Sequence, residues 1–433
     1  MTTSVDVSSG PVTTAPAVRH AWWRSRLEGA TTPARLRLLL ALLILLSLAW
    51  GVLAALTADQ HASAAADVVA VSEPLSLDAE QIYTSQSDAD ATAASAFLSG
   101  GLEPAAARQR YDADISQAAL GIEAAGALVG PSGSASKDLA ALSAGLPVYA
   151  GEVGTAVADN RLGLPLGAAY LREASALLRG TLLPAASDIY TKESGLLTSA
   201  SAQATGLPLL VLALLVGLGL GYVLYRSCRW LTRRTHRVFN YGLLVASVAG
   251  VVSLAWLAAA FFVGQGDLLN AQQRGSAPAE AFARAEVAAL QAHADESLTL
   301  IDNTGDDSYQ KDYLAQQKLL GPGPGTLLAA LPAQAATDAQ AWYRAHAALR
   351  AQDDAGNHAA AVGSALSGDA AASFAALSAT LSHGIDASQA VFASSARGGR
   401  DDFTGLTEGM IVASLVMAVG CAWGLSRRLA EYR

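Results

Sequence analysis

Four long apolar runs stand out along a chain that is otherwise rich in alanine and studded with polar residues: Leu36–Leu56, Leu207–Tyr225, Tyr241–Val263 and Leu406–Leu425. Each is close to the ~20 residues a helix needs to cross the hydrocarbon core of a bilayer. The first reads LRLLLALLILLSLAWGVLAAL. Four such runs predict spanning helices rather than the buried helices of a soluble core. Between the runs the pattern changes to helical amphipathicity. Tyr111, Ile115, Ala118, Ile122, Ala125 and Val129 recur at steps of four and three, as do Leu139, Leu142, Leu146, Tyr149 and Val153. Such steps place one apolar stripe on a helix face, the pattern of a helical bundle.

Glycine and proline punctuate these stripes at Ser99-Gly100-Gly101, Gly130-Pro131-Ser132-Gly133 and Gly163-Leu164-Pro165. They divide the first intervening segment into helical stretches near 58–98, 103–129, 137–161 and 167–205, with a kink expected at Pro147. The second intervening segment reads as a weak repeat of the first. Asp90, Thr92, Gly100 and Tyr111 match Asp295, Ser297, Gly305 and Tyr313, and a Gly/Pro break follows in each copy. The predicted fold is all-α: an integral membrane protein with four transmembrane helices and two extracytoplasmic antiparallel helical-bundle modules arranged as a tandem repeat. Its parts are a tail 1–35, spans 36–56, 207–225, 241–263 and 406–426, sensor modules 57–206 and 264–405, a basic loop 226–240 and a tail 427–433.

Charge gives this arrangement a direction. Residues 1–37 carry a net +3, residues 226–238 a net +5 and residues 427–433 a net +2, whereas 58–205 carry −10 and 265–405 carry −8. The positive-inside rule places both termini and the basic loop in the cytoplasm and both acidic segments outside, across a plasma membrane. The first run exceeds the apolar core of a signal peptide and follows a long leader segment, so it is expected to remain as an anchor. Cys228 and Cys421 are the two cysteines. Both fall at the predicted inner side, so the outer modules are held by core packing rather than disulfides. Small-residue stripes at Gly217 and Gly221, at Gly242, Ala246 and Gly250, and at Ser414 and Ala418 suit close packing of spanning helices.

The chain offers no recognisable catalytic apparatus. Ser134-Ala135-Ser136-Lys137 fits the S-x-x-K of penicillin-binding enzymes but has no K-T-G companion. The glycines from Gly217 to Gly221 lie in a span, and the Gly321–Gly325 stretch lacks the lysine of a phosphate loop. Seven scattered histidines make no ligand pair, so neither a metal nor another cofactor is expected. The spans carry no central charge of the kind transport uses. Arg226, Arg229, Arg233, Arg234 and Arg237 are read as topology determinants beside anionic lipid and as a cytoplasmic relay, not as a nucleic-acid surface. The predicted inner segments are too short for a catalytic domain, so output would pass through a separate partner.

The most polar outer stretch is VADNRLGLPLGAAYLREAS, residues 157–175. Asp159, Asn160, Arg161, Tyr170 and Arg172, with Arg110, are the candidate ligand- or partner-binding residues, because arginines are few in an acidic module and suit a carboxylate. Asp90 and Asp295 are candidates for a structural polar pair. Paired outer helices between spans resemble the four-helix sensor domains of chemoreceptors and histidine kinases, and DADATAASAFLSGGLEP (88–104) is similar to the first sensor helices of actinobacterial kinases. The whole layout resembles the actinobacterial GlnX family. That resemblance implies recognition of an amino acid or a loaded solute-binding lipoprotein outside, and a link to a soluble cytoplasmic Ser/Thr kinase. It carries over no individual residue. A structural subunit of an envelope complex, with no ligand of its own, is the alternative.

Overall fold

The computed structural model describes residues 32–67, 70–71, 73–101, 103–129, 133, 135–192, 207–235, 240–302, 307–401 and 403–430. These residues form helices and no strand. They divide into two compact units. One contains residues up to Thr57 together with Pro208–Leu257 and the chain from Thr407; the other contains Ala58–Leu207 and Ala258–Leu406.

The first unit is built from four helices long and apolar enough to cross a membrane. They belong to α1 (Thr32–Asp67), α6 (Leu207–Thr235), α7 (Tyr241–Asn270) and α13 (Leu406–Ala430). Large side chains such as Leu38, Leu45, Leu215, Leu218, Val251 and Val419 are exposed on them, as lipid contact requires. Small residues sit where the helices meet. The Trp50 ring covers Gly217, and its indole N–H donates to Ser253 Oγ at 3.2 Å, joining α1, α6 and α7. Ser414 lies over Gly51. Gly242 faces the bare backbone of Gly420 and Gly424, where a Cβ would come within 2.5 Å of the Gly420 carbonyl oxygen. The Asn240 amide donates to the Gly424 carbonyl at 2.9 Å. Helix α6 runs on to Thr235, so most of the expected basic loop 226–240 is a helical extension.

The second unit is a helical bundle with a shared core. From the first segment it takes α2 (Glu73–Leu98), α3 (Ala105–Val129), α4 (Ser136–Arg161) and α5 (Leu166–Leu177). From the second it takes α8 (Ala277–Ile301), α9 (Ser308–Leu320), α10 (Ala333–Asp354), α11 (His358–Ser367) and α12 (Asp369–Asp401). The predicted stripe of α4 is buried as Leu139, Leu142, Leu146, Tyr149 and Val153. In α3 the same stripe buries Ala118, Ile122 and Ala125. Helix α2 packs on α3 and on α8, and α8 packs on α12. The α8 helix is covered along most of its length, so Glu286, His293, Asp295 and Glu296 are carried into the interior. Leu75, Ile82 and Leu142 from the first segment share one apolar cluster with Leu290, Leu298 and Trp342 from the second. The two predicted modules thus belong to one compact unit.

Two other expectations change locally. The stretch 58–98 is not uniformly α-helical: residues 70–71, between α1 and α2, are π-helical. Helix α5 passes into a π-helical turn, Leu178–Leu182, and residues 183–192 then continue as α-helix. The part of stretch 167–205 beyond residue 192 lies outside the described residues. Helix α4 runs from Ser136 through Pro147 to Arg161. At its end, Gly163 takes a left-handed φ of 69°, which suits a residue without a side chain and lets the chain turn into α5.

Candidate functional site

Three polar clusters lie inside the helical unit. The first joins the two segments. Asp90 on α2 and Asp295 on α8 are 2% and 0% exposed, and Arg179 stands between them. Arg179 pairs with the Asp295 carboxylate, approaches Asp90 Oδ2 at 3.7 Å, and donates to the Gln291 carbonyl at 3.4 Å. Ser175 Oγ donates to Asp90 Oδ1 at 2.6 Å and the Tyr149 hydroxyl to the same oxygen at 3.4 Å. Arg179 occupies the π-helical turn, an element often found at functional positions. Burial raises Asp90, and Arg179 and Ser175 oppose it. Burial likewise pushes Asp295 up to about 7 against the pull of Arg179. One guanidinium thus serves two carboxylates that matched each other in the sequence.

The second cluster surrounds Glu296, which is fully buried on α8. His346 Nδ1 lies 2.6 Å from Glu296 Oε2, and His293 Nδ1 lies 3.5 Å from Oε1. His346 stacks on Tyr313 at 3.6 Å between ring centroids, and His293 stacks on Phe374 at 4.0 Å. Burial acts to raise Glu296, but the two imidazoles beside it, His346 in hydrogen-bond contact and His293 close by, outweigh it and hold the carboxyl at about 2. Aromatic rings flank both imidazoles, and His293 and Phe374 also reach a neighbouring cleft.

The third cluster is open. A cleft of ≈ 390 Å³ is lined by Glu80, Asp88, Asp114, Glu286 and Asp386, with Leu77, Leu290 and Ile385 among its apolar residues. Glu80 accepts from Gln389 Nε2 at 3.1 Å, and Glu286 accepts from Ser382 Oγ at 2.8 Å. Burial pushes Glu80, Asp114 and Glu286 each up to about 7. Neighbouring carboxylates add to this, notably Asp88 beside Asp114. A second cleft of ≈ 670 Å³ shares Asp88 and Ser382 with the first and is also lined by Arg110, His293 and Phe374. Among the described residues, no group of three His, Cys, Asp or Glu side chains could hold a metal ion.

The residues singled out in the sequence are dispersed. Arg110 makes a two-pronged pair with Asp88, at 2.9 Å from Nε and 2.7 Å from Nη2. Arg161 and Arg108 both approach Glu103, at 3.5 Å and 2.7 Å. Arg172 lies 3.9 Å from Asp302. Asn160 donates to the Phe97 carbonyl at 2.9 Å, tying the end of α4 to the end of α2. The Asp159 carbonyl accepts from the Leu162 and Leu164 amides, and Tyr170 is half-buried against the core. Only Arg110 of this group lines a cleft described above. Arg226, Arg229 and Arg233 are exposed on the extension of α6, where Arg229 donates to the Tyr225 hydroxyl at 3.1 Å. The Arg234 side chain and Arg237 lie outside the described residues. Sequence reading passed over Arg179, Glu80, Glu286 and Asp114. Acids in an acidic helix look solvated; only the packing of α2, α3, α8 and α12 gathers them.

Residues 64–202 match the family model of the actinobacterial sensor domain. No curated protein and no solved structure matches the chain.

Proposed function

We propose that this protein is a non-enzymatic transmembrane sensor of the plasma membrane, with both termini inside. The helical unit receives a small molecule or a binding protein outside, and the spans relay its state to a soluble cytoplasmic partner. The match of residues 64–202 to a sensor domain carries this reading, because that stretch lies between apolar helices able to cross a membrane. The chain path supports a relay. Helix α1 contains an apolar span and ends at Asp67, just before the sensor helices, and α6 runs from its span into the exposed arginines Arg226, Arg229 and Arg233. A shift of ~1–2 Å between packed helices is enough in known helical switches. The partner would meet the arginine-bearing segment 226–238, which suits an acidic surface on a soluble protein such as a kinase.

Hydrogen exchange on the full chain in lipid nanodiscs tests the relay. Amino acids, amines and candidate solute-binding proteins would be screened for protection of the helical unit. The expected result is that a ligand which protects α2 or α8 also changes exchange in 226–235. Protection confined to the helical unit for every ligand that binds would overturn the reading.

A further inference from the structure

The larger cleft is a groove between two helices. Asp88, Thr92, Ser95 and Ser99 follow one another along α2 and just past its end, and Ala371, Phe374, Ser378 and Ser382 line the groove from α12. His293 comes from α8, which packs on both helices, and Arg110 from α3. From Asp88 to Ser99 a helical chain rises about 16 Å. The groove has a volume of ≈ 670 Å³, within the range of small-molecule sites.

Two polar side chains, each more than nine-tenths buried, line this groove without a partner for one polar atom. Thr92 is 8% exposed, and its hydroxyl makes no hydrogen bond among the described residues. His293 is also 8% exposed. Its Nδ1 is sealed from solvent beside the Glu296 carboxylate, so the ring edge that reaches the groove carries Nε2. Among the described residues Nε2 has no partner either. Polar groups buried this far are normally hydrogen-bonded, so both point to a bound ligand as their partner.

The disposition of protons narrows the class. The ionised Glu296 favours the proton on Nδ1 of His293, so Nε2 of the neutral ring is an acceptor. Ser95 and Ser99 donate to the Thr92 and Ala96 carbonyls at 3.1 and 2.6 Å, and Ser382 donates to Glu286 at 2.8 Å. With their protons committed, these hydroxyls offer the groove only lone pairs, whereas the Thr92 hydroxyl can donate or accept. A ligand here therefore needs several donors spread along its length. It also needs no charge. Asp88 and Arg110 answer each other through two hydrogen bonds, and no other carboxylate, lysine or arginine lines the groove. An ionic ligand would lose hydration without gaining a counter-charge. Phe374 and the alanines supply apolar contact between the polar points.

We propose that this groove binds a neutral sugar of one or two rings, its hydroxyls on Thr92, His293 and the serine oxygens and its C–H faces on Phe374 and the alanines. The binding stands on the geometry of the groove; the role of the sugar as input rests on the sensor reading.

Calorimetric titration of the full chain in nanodiscs tests the site with glucose and maltose as probes. Saturable binding of at least one is expected. Thr92→Val keeps the shape and removes the hydroxyl, and should weaken binding about fivefold. Ala375→Leu enlarges an exposed side chain that lines the groove, and should weaken binding about tenfold or more. Ala376→Leu, exposed on the same helix but outside the groove, should leave affinity unchanged. Glucuronate, an anionic relative of glucose, should bind at least about tenfold more weakly than the better of the two sugars. Should Thr92→Val fail to fold, the exposed Ala375 decides the matter. No binding of either sugar, unchanged affinity in Ala375→Leu, equal weakening by Ala376→Leu, or glucuronate binding as tightly as the sugars would each overturn the proposal. Binding that meets these expectations while exchange in 226–235 stays unchanged would uphold the site and count against the relay alone.

Discussion

Arg179 carries one positive charge between two buried carboxylates, so its removal leaves two acids facing an apolar interior with no cation between them. Breaking a buried pair by deleting one partner typically costs about 3–5 kcal/mol. Arg179→Met should destabilise the helical unit by about that much at neutral pH. Asp295→Asn added to it should restore a good part, because one of the orphaned charges is gone. Denaturant unfolding of the full chain in detergent measures both, and a double variant no more stable than the single would contradict the pairing. The acidic cleft makes a separate prediction about pH. Glu80 and Glu286 rise from 4.5, and Asp114 from 3.8, each to about 7 in the folded chain. A raised carboxyl binds its proton more tightly folded than unfolded, so stability falls as pH rises from about 4 to about 7 and is level above. Glu296 acts in the opposite sense, since its folded value of about 2 lies below 4.5 and its contribution is lost as pH falls between them. The ligand-free chain should therefore have its highest unfolding temperature near pH 4. Glu80→Gln should flatten the decline toward pH 8, as followed by thermal unfolding across a pH series.

At the scale of the element, close packing in the spans depends on glycine at particular positions. A Cβ on Gly242 would meet the backbone of α13, whereas one on Gly219 meets nothing within 4 Å. Gly242→Ala should cost about 1–3 kcal/mol by overpacking. Gly219→Ala should be neutral or stabilising by up to ~1 kcal/mol, through better helix propensity. Unfolding in mixed micelles separates the two, and equal effects would argue against the observed contact. Helix extents were legible in the sequence because Gly and Pro act locally. The breaks at Gly100, Gly163 and Gly321 coincide with the ends of α2, α4 and α9. The stripe Leu139 to Val153 was legible for the same reason, since periodicity is a property of one helix. The π-helical turn under Arg179 was missed because no residue type marks it. The partner of each stripe was not legible either. Nothing local says that α2 packs on α8 across about two hundred residues, and the acidic cleft exists only through that packing. The arginines near residue 160 stood out because cations are scarce there; in the fold Arg161 lies 3.5 Å from Glu103 and Arg172 3.9 Å from Asp302, neighbours that no local pattern announced.

For the whole molecule, the side of the membrane that holds the helical unit decides which signals can reach it. The charge pattern gives a directional expectation. Segments of −10 and −8 alternate with short segments of +3, +5 and +2, and short arginine-rich segments remain on the cytoplasmic side. Long segments translocate largely regardless of their own charge, so the short arginine-rich ones decide the orientation. Cysteine labelling in intact cells reads this directly once Cys228→Ser and Cys421→Ser clear the background. Gly126→Cys and Gly323→Cys are suitable outer probes, since a Cβ at either position meets nothing within 4 Å. They belong to the two different segments of the helical unit. Arg226→Cys is the inner probe, exposed on the extension of α6. A membrane-impermeant maleimide should label both outer probes in intact cells and the inner one only after lysis. The reverse pattern would place the helical unit in the cytoplasm and overturn the reading of an outside signal. Labelling of one outer probe without the other would be incompatible with a single unit sharing the core that Ile82, Leu142, Leu290 and Trp342 form, because a membrane cannot pass between residues of one packed cluster.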